Sequence, residues 1–61
     1  MRTETEKYKV GELCEFWKMI YVVYRVSDYP CFTEVYARRV SDGFETMFYD
    51  NEANSYQWRR V

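Results

Sequence analysis

Residues 19–27 constrain the fold of this 61-residue chain more than any other segment. The segment is rich in β-branched and aromatic residues, which favour an extended backbone. Successive side chains of a strand point to opposite faces, which predicts two alternating sets. These sets are Ile20, Val22, Tyr24 and Val26 on one face, and Tyr21, Val23 and Arg25 on the other. Both faces are partly apolar, so we expect a central strand.

Four further short runs have the same strand-like composition, one before this segment and three after it, and turn-forming residues separate them. The runs cover residues 8–17, 31–40, 44–49 and 56–61. Pro30 lacks a backbone N–H and forces Tyr29 into an extended conformation, which suits a loop. Residues 41–43 end in a glycine that accepts the positive φ of a tight hairpin. Residues 50–55 are polar and predict a single 3₁₀ or helical turn.

The alternation within two of these runs predicts which side chains face the core. In the first run the core-facing residues are Val10, Cys14 and Phe16, with Gly11 allowing a sharp bend or bulge. In the third run Thr33, Val35 and Ala37 face the core, while Glu34, Tyr36 and Arg38 face outward. The sequence therefore predicts an all-β domain with a small enclosed core.

The order of five short strands, one tight hairpin and a one-turn helix resembles the SH3-like small barrels, including the Tudor and KOW types. Residues 8–14, Tyr-Lys-Val-Gly-Glu-Leu-Cys, are similar to the hydrophobic-Gly-Asp-x-Val start of the family's first strand. Glu12 stands where that family usually has aspartate. Other matching segments are 20–23 (second strand), 35–43 (third strand and turn) and 50–61 (3₁₀ turn and closing strand).

The resemblance implies a five-stranded antiparallel SH3-like barrel with a one-turn 3₁₀ helix before the last strand. Residues 1–7 are expected to form a flexible N-terminal segment, and residues 8–61 the single domain. In style the chain is also similar to the small accessory proteins of bacteriophages and prophages.

Catalysis is not expected from this composition. There is no histidine, which removes the commonest general base and the commonest metal ligand. The two glycines stand alone, so no phosphate-cradling loop exists, and two cysteines are too few for a structural zinc site. The nearby carboxylates, Glu12 with Glu15 and Asp50 with Glu52, are expected to be solvated. We therefore expect no enzyme activity, no metal site and no cofactor.

Charge and cysteine content bear on partners and location. The net charge is −1, so no global field attracts nucleic acid or acidic membranes. The longest apolar run is far too short to cross a membrane. A single cysteine pair favours two reduced thiols and a cytoplasmic protein. Cys14 is expected to be a buried small hydrophobe, and Cys31, at a loop edge, to be the more exposed of the two.

Aromatic residues make up 21% of the chain, more than so small a core encloses. Large exposed aromatics often mark an interaction site. The turn-borne candidates are Trp17, Tyr29 and Phe44, because ligand-contacting aromatics of SH3-like and Tudor-like families come from such loops. A second set, Tyr36 with Arg38 and Tyr21 with Arg25, forms a mixed platform if its two strands are neighbours. Plain cross-strand packing is the alternative for both sets.

These observations favour a non-enzymatic binding module. The first hypothesis is a small adaptor or inhibitor that binds a partner protein through an aromatic- and arginine-rich face. The second is a nucleic-acid-binding domain of KOW or Tudor type, which stacks bases on tyrosine and pairs phosphates with arginine. A homodimer formed through a strand edge is compatible with the first hypothesis. A purely structural subunit of a larger particle stays open as well.

Overall fold

The structure, a computed structural model, describes residues 8–52 and 57–61. Five antiparallel strands form one sheet in the order β4-β3-β2-β1-β5. They are β1 (Leu13–Phe16), β2 (Met19–Asp28), β3 (Thr33–Arg39), β4 (Glu45–Tyr49) and β5 (Arg59–Arg60), with a 3₁₀ turn at Asp50–Glu52. The all-β prediction is confirmed, and β2 is the central strand. The expectations for residues 1–7 and 53–56 lie outside the described residues.

The two edge strands of this sheet meet through aromatic rings. No hydrogen-bonded ladder joins β4 to β5 within residues 8–52 and 57–61. Phe48 of β4 nevertheless stacks on Trp58, which immediately precedes β5, with ring centroids 4.3 Å apart. Trp58 also stacks on Phe16 at 4.6 Å and forms a T-shaped contact with Tyr21 at 4.9 Å. One indole thus links both edges with the centre of the core.

The inner face of β3 is built as the alternation predicts. Thr33, Val35 and Ala37 are buried, and the residues between them point to the outer face. Across the β3–β4 ladder, Val35 lies opposite Phe48. No helix of the described residues is long and apolar enough to cross a membrane.

The start of β1 differs from expectation at one residue. Cys14 is buried and Phe16 packs against the core, as predicted, but Val10 is exposed and the prediction for it is wrong. The chain turns at Gly11, whose φ is +92°, and the Gly11 N–H donates to the Val23 carbonyl at 2.7 Å. Val10 precedes this turn, so the alternation of β1 does not extend back to it.

A β-bulge interrupts the alternation of β2. Val23 pairs with Ala37 and Arg25 pairs with Tyr36, which leaves Tyr24 without a partner on β3. The extra residue shifts the alternation by one position, so that the side chains after it point to the face opposite to the predicted one. Val26 therefore packs against the core and Arg25 faces outward. The predicted faces of β2 hold as far as Tyr24 and are wrong beyond it.

A largely buried ion pair fastens the first turn to the last strand. The Glu12 carboxylate accepts a hydrogen bond from the Lys9 N–H at 3.0 Å and pairs with the Arg60 guanidinium at 2.8 Å. Only 6% of the Glu12 side chain and 18% of the Arg60 side chain are exposed. The same guanidinium lies over the Tyr8 ring at 4.1 Å. This contact holds the N-terminal turn and β5 together beside β1.

Candidate functional site

The outer face of β2 and β3 carries a layer of stacked side chains that we call the arginine–tyrosine patch: Tyr24, Arg25, Tyr36 and Arg38. The Arg38 guanidinium lies over the Tyr24 ring at 4.8 Å, and the Arg25 guanidinium over the Tyr36 ring at 5.2 Å. The two rings are 6.2 Å apart and tilted by 56°. The four side chains therefore form one contiguous surface in which cations and aromatic rings alternate.

The ladder between β2 and β3 positions this patch. Arg25 and Tyr36 are direct cross-strand partners, and Arg38 lies opposite Val22. Tyr24, as the extra residue of the bulge, turns to the same side as Arg25 instead of the opposite one. The bulge is thus the local feature that places a second tyrosine beside the first.

Two carboxylates flank the patch and accept its hydrogen bonds. Glu45 pairs with Arg38 at 3.0 Å and accepts from the Tyr24 hydroxyl at 3.4 Å. Glu34 accepts from the Tyr36 hydroxyl at 2.9 Å. This hydrogen bond, followed by burial and the negative charge of Glu34, raises the pKa of Tyr36 above its ordinary value. The phenol therefore stays protonated and acts as a donor at neutral pH.

Apolar side chains extend the same outer face beyond the patch. Met47 lies opposite Tyr36 on β4, and Leu13 lies opposite Val22 on β1. The large apolar residues exposed on this face are Leu13, Ile20, Met47 and Tyr49. Hydrophobic surface therefore borders the patch in addition to its two flanking carboxylates.

Tyr21 is the one predicted site residue that the structure buries. Only 5% of it is exposed, and its ring packs edge-on against Trp58 in the core. The prediction that Tyr21 and Arg25 share a face is wrong, and Tyr24 takes the position expected of Tyr21. The sequence held one signal for this. In an uninterrupted strand Arg25 would lie on the same face as the core residues Tyr21 and Val23, and its charge would be buried. The cost of burying that charge predicts a break in the alternation between Val23 and Arg25.

The three turn-borne aromatics are exposed, but the structure does not bring them together. Trp17 lies in the β1–β2 turn, and Tyr29 follows the opposite end of β2, about 30 Å away for a ten-residue strand. Tyr29 packs on Phe32 with ring centroids at 4.9 Å. Phe44 lies on the β4 side of the sheet, under the Arg39 guanidinium at 4.9 Å. The three aromatics therefore do not form one site.

The turn that carries Phe44 is held by Asp42. Its carboxylate accepts from the Arg39 guanidinium at 2.6 and 2.8 Å and from the Phe44 N–H at 3.1 Å. The hydrogen bonds from Arg39, with that from Phe44, lower the pKa of Asp42 to about 2. Asp42 is thus ionised across the physiological range and fixes the hairpin in one geometry.

The thiols differ sharply in their surroundings. Cys14 is buried, and burial raises the pKa of its thiol to about 11 although the positive charge of Arg60 acts in the opposite direction. Cys31 is exposed and free. In the described part of the chain, no three His, Cys, Asp or Glu side chains are grouped so that they could hold a metal ion. What the outer face offers chemically is stacking, hydrogen bonding and apolar contact.

Comparison with protein-family models, with curated proteins and with solved structures gave no match.

Proposed function

We propose that this chain is a non-enzymatic binding module, a small adaptor or inhibitor that binds a partner protein through the arginine–tyrosine patch. The observation that carries the proposal is the pair of guanidinium–ring stacks on an outer face bordered by exposed apolar residues. Tyrosine and arginine are enriched among the residues that dominate protein interfaces. Their stacking also fixes the side chains in advance, which lowers the entropy lost on binding.

The charge of the patch favours a protein over a nucleic acid. Arg38 is already paired with Glu45, and Glu34 lies beside Tyr36. Affinity for nucleic acid rests on cations that replace the counterions of phosphates. A nucleic acid is the second candidate, because Arg25 has no ion pair within residues 8–52 and 57–61 and the two rings offer stacking surfaces.

For the fold, we propose that the open sheet is an SH3-like barrel of the Tudor or KOW kind. The strand order and the ring contact between Phe48 and Trp58 support this proposal, because the contact draws the two edge strands together. The two free thiols are in keeping with a cytoplasmic protein. The outward edge of β4 is the strand edge through which a homodimer would form.

The test is affinity purification from the native host with the wild-type chain and two variants as bait. Arg25→Ala/Tyr36→Ala removes one stack of the patch, and Lys9→Ala removes an equal charge elsewhere on the surface. We expect one stoichiometric protein to be retained by the wild type and by Lys9→Ala, and to be lost with the patch variant. Equal retention by all three baits would contradict the proposal.

An electrophoretic shift assay at low salt separates the two candidates. Single- and double-stranded DNA and RNA are each mixed with micromolar protein. We expect no shift, because the carboxylates of the outer face offset its arginines. A shift that weakens steeply with salt and disappears in Arg25→Ala/Tyr36→Ala would favour the nucleic-acid candidate instead.

A further inference from the structure

The turn between β1 and β2 has an unusual backbone for its residues. Phe16 pairs with Met19, so Trp17 and Lys18 form a two-residue hairpin turn. Their φ angles are +53° and +65°, the combination of a type I′ turn. Asparagine and glycine are the residues that adopt this geometry at least cost, and a bulky side chain there is an outlier. The backbone of this turn is therefore strained, and asparagine and glycine at the same two positions would relieve the strain.

The strain of the described residues converges on one cleft. Three residues other than glycine have a positive φ within residues 8–52 and 57–61: Trp17, Lys18 and Gln57. All three line the same cleft of about 670 Å³, which Glu15, Trp58 and Arg59 complete. Backbone strain of this kind collects at ligand sites, where the surrounding structure holds a side chain in a working position. The volume lies within the range of about 300–1,000 Å³ found for ligand sites.

The cleft offers one flat apolar surface and one available positive charge. Trp17 is 78% exposed, and its one ring contact among the described residues is a tilted one with Phe16 at 6.0 Å. Arg59 is neutralised by Glu15 at 2.8 Å. Lys18 is exposed and has no carboxylate partner in the part of the chain that the structure describes. The Gln57 amide adds a neutral donor and acceptor beside them.

We propose that this cleft binds a peptide segment of a protein partner in which an apolar side chain stands next to a carboxylate. The apolar side chain packs on the Trp17 indole, and the carboxylate pairs with Lys18. The carboxylate belongs either to an Asp or Glu side chain or to the C-terminus of the partner. The cleft is separate from the arginine–tyrosine patch, since it lies beside β1 and β5 and the patch lies on β2 and β3.

A nucleic acid fits this cleft less well than such a peptide. Stacking on an exposed tryptophan suits a base, but a strand also presents a phosphate at each nucleotide. Because Arg59 is paired with Glu15, Lys18 is the one unpaired cation among the described residues that line the cleft. One carboxylate on an otherwise apolar group matches that charge.

The experiment is a titration of the full chain by NMR, which reads the two indole N–H signals of Trp17 and Trp58 separately. The probes are four short N-acetylated peptides. Two are amidated and contain internal Leu-Asp or Leu-Asn, the third ends in a free leucine carboxylate, and the fourth is the third in amidated form. We expect the Trp17 signal to shift at millimolar peptide, with about tenfold tighter binding for one carboxylate form than for its uncharged counterpart. The form that binds identifies the source of the carboxylate.

Three variants keep the result interpretable. Trp17→Asn/Lys18→Gly installs the preferred turn residues, so it should fold with undiminished resistance to denaturant and yet lose the peptide. Lys18→Gln should remove the preference for the carboxylate while the Trp17 signal still responds. Arg25→Ala/Tyr36→Ala should bind the peptides like the wild type, which separates this site from the proposed patch.

Three outcomes would overturn the proposal. The first is equal affinity for the charged and uncharged peptides, or no shift with any of them. The second is undiminished binding by Trp17→Asn/Lys18→Gly. The third is a Trp17 shift with oligothymidylate that exceeds the shift with every peptide, which would assign the cleft to single-stranded nucleic acid.

Discussion

Glu12 connects parts of the chain that are far apart in sequence. Its carboxylate holds the Lys9 N–H and the Arg60 guanidinium, and its carbonyl accepts from the Val23 N–H at 2.9 Å. The Glu12 side chain is long enough to span from this turn to β5.

Removing the Glu12 charge should be strongly destabilising. Glu12→Gln removes the negative charge that faces the largely buried Arg60 guanidinium at 2.8 Å, and we expect a loss of about 3 kcal/mol in the free energy of unfolding. Urea denaturation followed by tryptophan fluorescence measures it. Glu15→Gln is the matched control, because Glu15 also pairs with an arginine of β5 at 2.8 Å but with a far more exposed partner. It should lose less than about 1 kcal/mol. Equal losses would show that burial does not separate the two pairs.

The strained turn predicts a gain instead of a loss. Replacing Trp17 and Lys18 by asparagine and glycine removes an unfavourable backbone conformation and costs the tilted ring contact of Trp17 with Phe16 at 6.0 Å. We expect Trp17→Asn/Lys18→Gly to raise the free energy of unfolding by about 1 kcal/mol or more. Thermal denaturation of the variant beside the wild type checks this. A fall in stability would mean that the indole supports the fold, in contradiction to the strain argument.

At the scale of elements, the bulge divides β2 into two halves. Odd-numbered residues point into the core in the first half, and an even-numbered residue does so in the second. The half before the bulge places Tyr21 and Val23 in the core, and the half after it places Val26 there. Without Tyr24 the alternation of β2 would be uninterrupted, with Val23 still opposite Ala37 and Arg25 still opposite Tyr36. The bulge therefore adds one side chain to the outer face and leaves the rest of the ladder in register.

Because the pairs on either side of Tyr24 keep their register without it, we expect the chain to tolerate loss of this residue. The Tyr24 deletion should fold, with stability within about 1 kcal/mol of Tyr24→Ala, because both lack the same ring contacts. Both should lose binding through the arginine–tyrosine patch, since Arg38 no longer has a ring beneath it. Amide NMR spectra of the two variants test the fold. An unfolded deletion beside a folded Tyr24→Ala would show that the bend made by the bulge is needed to curl the sheet.

The sequence predicts those features that depend on local pattern. The alternation of Thr33, Val35 and Ala37 and the hairpin glycine at Gly43 are local, and both were predicted correctly. The position of the bulge depends on which residue of β3 lies opposite each residue of β2, and that pairing is not written in β2 alone. The separation of Trp17 from Tyr29 likewise follows from strand length and order. Candidate residues were thus predictable one by one, and their grouping was not.

At the scale of the whole molecule, a small core is closed by rings. Aliphatic side chains are few, and Trp58 contacts Phe16, Tyr21 and Phe48 from one position between the sheet edges. The patch and the cleft lie on separate parts of this small body. If both proposed surfaces bind, the molecule suits an adaptor, which joins two partners, better than an inhibitor, which occupies one.

Thiol labelling should report on the opening of the whole molecule. Cys31 is exposed and should react with a thiol reagent at the rate of a free cysteine. Cys14 is fully buried and its raised pKa keeps it protonated, so it should react only when the core opens. Mass spectrometry after timed labelling should show one adduct first and the second at a rate that increases with urea. Simultaneous modification of both thiols in the native protein would contradict the burial of Cys14.

The same thiol predicts how stability changes in alkaline solution. The pKa of Cys14 rises from 9.0 to about 11 because burial penalises the thiolate. The unfolded chain therefore loses the proton first, so the stabilising contribution is full below about pH 9 and is lost as the pH rises towards about 11. Urea midpoints at pH 8 and pH 11 measure it. Cys14→Ala should show a smaller alkaline loss, and an unchanged loss would contradict the assignment to Cys14.

The bulge also bears on how such a surface can arise. A substitution changes the chemistry of a position that already exists, whereas the bulge adds a position. If the ladder on either side is indifferent to Tyr24, an in-frame gain or loss of a single codon creates or erases an aromatic contact on the outer face without rewriting any core residue. A domain this small can then gain new partners by insertion or deletion of one residue in this strand. In most strands such a change would disrupt the pairing.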